Sequence, residues 1–339
     1  MTQVSEITEQ GQTSHEVPKQ SRLIWGLTVA RLLLRNPSAL KKLMVMGPDE
    51  PRYVRPPREY ELPEYREGMK CCRSNEKYLR PTRWCNPREP EVIALANELG
   101  AYERSDWEFA DAAFWWVKTN VASEILPLDS VSATLKRGTG TCYHLTSLWI
   151  ALCRAAGIKA QYKSFKTMLN DVVIGLDVAE MMDLEESEQA MIPEMFNTGQ
   201  PHPQGEACID GEWVVAEVGV RPEFHAQTGV PIPKLGEDAI DFTFNLIPGT
   251  IEHFESLSLM SGISLRVFTL LAPVVVERGS IVLSAPLGRK IIEEAGGIEA
   301  YDQKARRRRG KLFVTEEITE EITRLTKDAE RKQVVVFKD

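Results

Sequence analysis

Apolar residues recur at helical spacing over several stretches of this chain and crowd at strand-like density over two others. Leu23, Leu27, Ala30 and Leu34 repeat at i, i+4 and i+7 with Arg22, Arg31 and Arg35 around them. This predicts two short helices over residues 21–46, broken at Asn36-Pro37-Ser38. Glu89–Gly100 forms a second amphipathic run, with Gly100 as its stop signal. Asp106–Asn120 forms a third, with Phe109, Ala112, Ala113, Trp116 and Val117 as its core stripe. Residues 158–174 and 206–220 are rich in β-branched and aromatic residues and predict strands.

The polar segments divide these elements. Residues 1–20 are polar and acidic and predict a disordered tail. Residues 48–66 hold five prolines and many charges, the mark of an extended arm or linker. Residues 179–200 carry Glu180, Asp183, Glu185, Glu186 and Glu188, and read either as a lid near a site or as a solvated acidic helix. The run at 304–311, KARRRRGK, and the charged helix at 316–332 close the chain. Four segments are expected: 1–20 as a tail, 21–84 as a helical arm and proline-rich linker, 85–250 as the main domain, and 251–339 as a C-terminal extension.

Hydrophobic residues make up 43% and charged residues 27%, enough for a sizeable core. The net charge of −8 argues against nucleic acid as the main partner, because a phosphate backbone requires a basic surface. The first residues show no basic stretch followed by an apolar one. The apolar stretch Leu257–Val276 is interrupted by Arg266. Neither a secretory signal nor a transmembrane segment is therefore expected, and a cytoplasmic location follows. In that compartment the six cysteines should be thiols. A zinc module built from Cys71, Cys72, Cys85 or Cys142 with His144 lacks the usual ligand spacing, so no metal or other cofactor is expected.

The chemistry concentrates in Arg137-Gly-Thr-Gly-Thr-Cys-Tyr-His and the apolar run that follows it. Thr141 is an N-cap candidate. Helix is predicted from Cys142 to Ala156, with Leu145, Leu148, Trp149, Leu152 and Ala156 as its buried stripe and Gly157 as its terminator. Cys142 falls on the first turn, where unpaired N–H groups and the helix dipole favour a thiolate. A dipole contributes only about 0.3–1 kcal/mol, so a neighbouring imidazolium has to provide most of the activation. Cys153 reads as core, and His144 should point away along the helix.

The partner is sought in His202-Pro-Gln-Gly-Glu-Ala-Cys-Ile-Asp-Gly-Glu-Trp-Val-Val-Ala-Glu217. Asp210-Gly211 between alternating apolar runs is a strong two-residue hairpin signal. In that register Ile209 faces Glu212, Gln204 faces Glu217 and His202 faces Gly219. Glu217 is then a diagonal neighbour of His202 on one face, roughly 7–8 Å away at the backbone. Ala207, Ile209, Val214, Ala216 and Val218 form the core face. The expected constellation has Cys142 as nucleophile, His202 as base and Glu217 as the group that orients the imidazole. Gly219 would leave room for the ring, and Glu206 would pair with an Arg or Lys. His225 and His253 lack an organised motif nearby.

These segments resemble the transglutaminase-like superfamily, which includes microbial thiol proteases and peptide N-glycanases. Arg154-Ala155-Ala156-Gly157-Ile158-Lys159-Ala160 is similar to the end of that family's nucleophile helix. His202, Glu206, Asp210-Gly211 and Trp213 are similar to its second motif, and Trp116–Val121 to its upstream helix. The resemblance covers about residues 85–225. Glu217 stands where the family has Asp, Pro203 follows the His, and Gly219 replaces a small hydroxyl residue. The resemblance implies an α+β fold with a papain- or transglutaminase-like core, its nucleophile Cys at a helix N-terminus packed on an antiparallel sheet. It implies a cysteine hydrolase or acyltransferase working through a thioester on a protein or peptide substrate, without a cofactor. The competing reading is an inactive scaffold of the same fold that binds a protein partner, with the N-terminal helices as a docking element for either.

Overall fold

The computed structural model describes residues 55–167, 200–241, 247, 249–271 and 273–307. The polar tail, the helices read at 21–46, the start of the proline-rich arm, all but Gln200 of the acidic segment, the end of the basic cluster and the C-terminal charged helix lie outside those residues.

Two short helices come first, α1 (Pro90–Glu98) and α2 (Asp106–Asn120). Ser105 starts α2 through a reciprocal cap. Its hydroxyl accepts from the Glu108 N–H at 3.3 Å, and the Glu108 carboxylate accepts from the Ser105 N–H at 3.0 Å. The core stripe of α2 differs from the expected one. Phe109, Ala110, Ala113, Phe114, Val117 and Lys118 are buried, whereas Ala112 and Trp116 are half-buried. Trp116 instead packs edge-on against Tyr60 of the arm, 4.9 Å between ring centres.

A parallel bridge of two-residue strands follows, β1 (Ala122–Ser123) and β2 (Thr139–Gly140), with helix α3 (Val131–Arg137) between them. The bridge sets the loop that enters the central helix, α4 (Cys142–Ala156). Every residue of α4 from His144 to Ala155 is buried, so it is enclosed on all sides rather than along one stripe. Arg154 fixes its far end. The guanidinium is fully buried and donates to the carbonyls of Ala160, Arg80 and Glu255 at 2.7–3.1 Å.

The helix packs on an antiparallel sheet of β3 (Ala160–Thr167), β4 (Gln200–Ile209), β5 (Glu212–Ala216) and β6 (Glu252–Phe254), ordered β5-β4-β3-β6. Gly205 permits the contact between layers, because a Cβ there would lie 2.4 Å from the Trp149 ring. Asp210 (φ 52°) and Gly211 (φ 87°) form the hairpin turn, both with the positive φ of a type I′ turn. The pairs Ile209–Glu212 to Gly205–Ala216 follow the expected register. Pairing stops there, so the expected pairs Gln204–Glu217 and His202–Gly219 do not form, and the chain leaves the sheet before the acid.

That early stop accommodates Pro203. A two-residue turn makes Ile209–Glu212 a hydrogen-bonded pair, so odd-numbered residues of β4 turn their backbone groups towards β5. The missing N–H of Pro203 faces the side where β5 has ended.

Beyond the sheet come helices α5 (Pro222–Thr228), α6 (Leu259–Leu271), α7 (Pro273–Leu283), α8 (Pro286–Ala295) and α9 (Ile298–Arg307). The last two buttress α5. The Leu287 N–H donates to Gln227 at 3.2 Å, and the Tyr301 hydroxyl donates to the carbonyls of His225 and Val230. Arg306, read as part of a basic cluster, pairs with Asp302 and Glu237. Among the described residues no single helix is long and apolar enough to cross a membrane.

Candidate active site

Cys142 opens α4 and is half-buried. His144, three residues past the cap, holds the entrance of that helix. Its Nδ1 accepts from the Thr141 N–H at 3.1 Å, which leaves the proton on Nε2, 3.2 Å from both the Pro127 carbonyl and Asp129. Asp129 also binds Arg137 at 2.5 Å. His144 thus points away from the thiol, as its place on the helix requires, and acts as a capping residue.

The loop before Cys142 is braced from the arm. Glu124 is fully buried and accepts from the Arg55 guanidinium at 2.9–3.2 Å and from the Thr139 hydroxyl. Arg58 and Tyr60 donate to the carbonyls of Lys136 and Leu135 at the end of α3.

His202 lies on β4, paired with Phe165 of β3, whose ring centre is 5.5 Å from the imidazole. Its Nε2 lies 2.7 Å from Glu217 Oε2. The Cys142 thiol also interacts with the ring, for which Nδ1 remains once Nε2 is engaged. Burial pulls the imidazolium down, but the Glu217 carboxylate and the Cys142 sulfur outweigh it and raise His202 to about 10. Glu217 is likewise pushed up by burial. The His202 charge and hydrogen bond, then Lys118 and Gln204, prevail and hold its carboxyl below the ordinary range.

The structure therefore brings Cys142, His202 and Glu217 together, by a route other than the one read from the hairpin. Glu217 reaches the imidazole from the segment after β5, not from a diagonal position in the ladder. Gly219 serves the cysteine rather than the histidine. A Cβ on it would lie 2.8 Å from Cys142 Cβ and 3.2 Å from Cys142 Cα. Among the described residues Glu206 pairs with no Arg or Lys. It accepts from His253 Nδ1 and Gln161 Nε2, both at 2.9 Å.

Several residues of the site were not singled out from sequence. Lys118, fully buried, donates its Nζ to the Glu217 carbonyl. Burial pulls its ammonium down to about 8, with Glu217 and Glu223 opposing. His225 of α5 is fully buried beside it. Burial, then the Lys118 charge, hold that ring well below the ordinary histidine range. Gln204 is fully buried next to the Glu217 carboxylate. The signal for Lys118 is its spacing. Residues 110, 113, 114, 117 and 118 form one helical stripe, and a charge on an apolar stripe demands a partner. No comparable local signal marks His225, which depends on the docking of α5. Among the described residues no group of three or more His, Cys, Asp or Glu side chains converges as a metal site would require.

Residues 93–218 match the family model of the transglutaminase-like superfamily. A solved structure of a provisionally assigned cysteine protease from Cytophaga hutchinsonii is similar at 20% identity over 53% of this chain, with a TM-score of 0.32. The match spans about half of that protein, 51% of its chain. No curated protein matches the chain. The match to the transglutaminase-like superfamily runs from within α1 to just beyond β5 and includes Cys142, His202 and Glu217.

Proposed function

We propose that this chain is a cysteine-dependent acyl-transfer enzyme, a thiol protease- or amidase-like hydrolase, with Cys142 as nucleophile, His202 as proton carrier and Glu217 as the group that orients and charges the imidazole. The observation that carries this reading is the 2.7 Å contact between His202 Nε2 and the buried Glu217 carboxylate. It leaves the other ring nitrogen for a cysteine at a helix start. Such a pair makes a thiolate available without deprotonating a free thiol in solution.

The Cys142 sulfur attacks an amide or ester carbonyl carbon. The developing oxyanion takes hydrogen bonds from the Cys142 and Tyr143 N–H groups, which come before the first N–H of α4 that binds a carbonyl, that of His144 on Thr141. His202 gives its proton to the leaving amine or alcohol as the carbon–heteroatom bond breaks, and a thioester remains. Water then gives a proton to His202 while its oxygen attacks the thioester, and the acid product leaves as the thiol is restored. An amine in place of water turns hydrolysis into transfer. Peptide or isopeptide bonds are the substrates that the family suggests.

Limiting iodoacetamide on the native protein, read by mass spectrometry, tests the reading. Cys142 is expected to react before the other accessible cysteines, and His202→Ala to slow it. Equal labelling of all exposed cysteines would refute it and leave a binding scaffold. Thioester adducts trapped on Cys142 from cell lysate would identify the acyl donor.

A further inference from the structure

Lysine is almost never fully buried without a partner, yet Lys118 exposes none of its surface. Its ammonium lies 5.2 Å from the centre of the Phe114 ring and donates to the backbone carbonyl of Glu217. That carbonyl belongs to the first residue beyond β5, where the ladder no longer fixes the chain. The same helix end makes a second contact with this segment. Arg221 donates to the Thr119 carbonyl at 3.0 Å and is itself held by both oxygens of Glu223. The last turn of α2 thus grips residues 217 and 221 from behind the site. The charged and titratable groups around Lys118 are Glu217 after β5 and Glu223 and His225 on α5, with His202 of β4 beyond them.

We propose that Lys118 is a positioning residue of the site, which anchors the Glu217 backbone outside the sheet and supplies the fixed positive charge that keeps the Glu217 carboxylate ionised. The proposal rests on the reading of Cys142 as nucleophile and deepens it. A neutral donor would hold the carbonyl equally well, so the charge is the separable part. His225, kept neutral, adds no competing cation. The ammonium remains charged below about pH 8, which covers the range in which Glu217 would otherwise take up a proton.

The experiment follows the rate of Cys142 alkylation by limiting iodoacetamide against pH in the full chain. Lys118→Met is expected to move the acid limb of that profile upward by about one pH unit, slowing the reaction about tenfold on that limb, because an opposite charge has been removed from Glu217. Lys118→Arg should restore the limb. A merely structural role would lower the unfolding midpoint but leave the limb where the wild type has it, and that result overturns the proposal while the nucleophile reading stands. A wild-type Cys142 no faster than the other exposed cysteines overturns both. Should Lys118→Met fail to fold, coupling is reciprocal. With ¹³C-labelled lysine, Lys118 is expected to titrate at lower pH in Glu217→Gln than in the wild type, and equal midpoints would overturn the proposal.

Discussion

His202 Nε2 and Glu217 Oε2 stand 2.7 Å apart, and the two side chains expose 8% and none of their surface. Charges enclosed this way depend on each other, because removing one leaves its partner ionised without compensation. Glu217→Gln keeps the shape and removes the charge. Proton transfer by a positioned group typically contributes 10²–10⁴-fold. The p-nitrophenol burst from p-nitrophenyl acetate should therefore slow by about 10²-fold or more in Glu217→Gln and in His202→Ala. A burst unchanged in both would exclude this pair from the chemistry.

The same pair predicts a pH dependence of stability. His202 titrates near 10 in the folded chain against 6.5 in its unperturbed state. Its contribution is complete below pH 6.5 and disappears as pH rises through about 10. Glu217 has a depressed pKa, so its contribution is present above 4.5 and disappears as pH falls through its lowered value. Lys118, depressed to about 8, acts in the opposite sense to His202 between pH 8 and 10.5. The comparison of wild type with His202→Gln removes that background. Their difference in urea unfolding free energy should narrow steadily from pH 6.5 to 10, and a constant difference would count against the assignment.

Gly219→Ala tests the seat of Cys142, the proposed nucleophile. The new methyl would stand 2.8 Å from Cys142 Cβ and 3.2 Å from both Cys142 Cα and Glu217 Oε1. Overpacking of this kind costs about 1–3 kcal/mol, whereas a displacement of about 1 Å at a reacting group can cost 10²-fold in rate. The variant should remain folded by circular dichroism, with the ester burst reduced far more than stability. A loss of stability with the normal burst rate would contradict the contact.

Arg55→Ala tests the brace from the arm. It would leave the buried Glu124 carboxylate with the Thr139 hydroxyl but without its cation, at a cost of about 1–3 kcal/mol. Adding Glu124→Gln should recover part of that loss, because the stranded charge is gone. The readout is the urea midpoint of the single and double variants. A double variant less stable than Arg55→Ala would show that Glu124 is not held mainly by Arg55.

Local rules made part of this molecule legible. Thr141 and Gly157 bound the Cys142 helix because caps act within a few residues, and Asp210-Gly211 set the hairpin register because a two-residue turn leaves no other. What those rules do not carry is where a ladder stops. Ala216 ends β5, and nothing in the alternation of Trp213, Val214 and Val215 announces it. The distant partners were hidden for the same reason. His253 reaches Glu206 only because β6 pairs with β3 across a long excursion of the chain, and His225 reaches the site only because α8 and α9 press α5 into place. The stripe on α2 was shifted because its Trp116 packs on an arm whose course the sequence does not reveal.

The departure of Glu217 from the sheet bears on how such a site changes over evolutionary time. A side chain within a ladder is placed by the strand, and a longer acid there would overshoot its partner. Here His202 is carried on strand β4 and Glu217 on a segment beyond β5 whose backbone is held by Lys118 and Arg221. An extra methylene in the acid can then be absorbed by a small change of path after Ala216, without disturbing the core beneath it. Transplanting Asp into position 217 should therefore succeed only when the segment beyond β5 is re-cut with it.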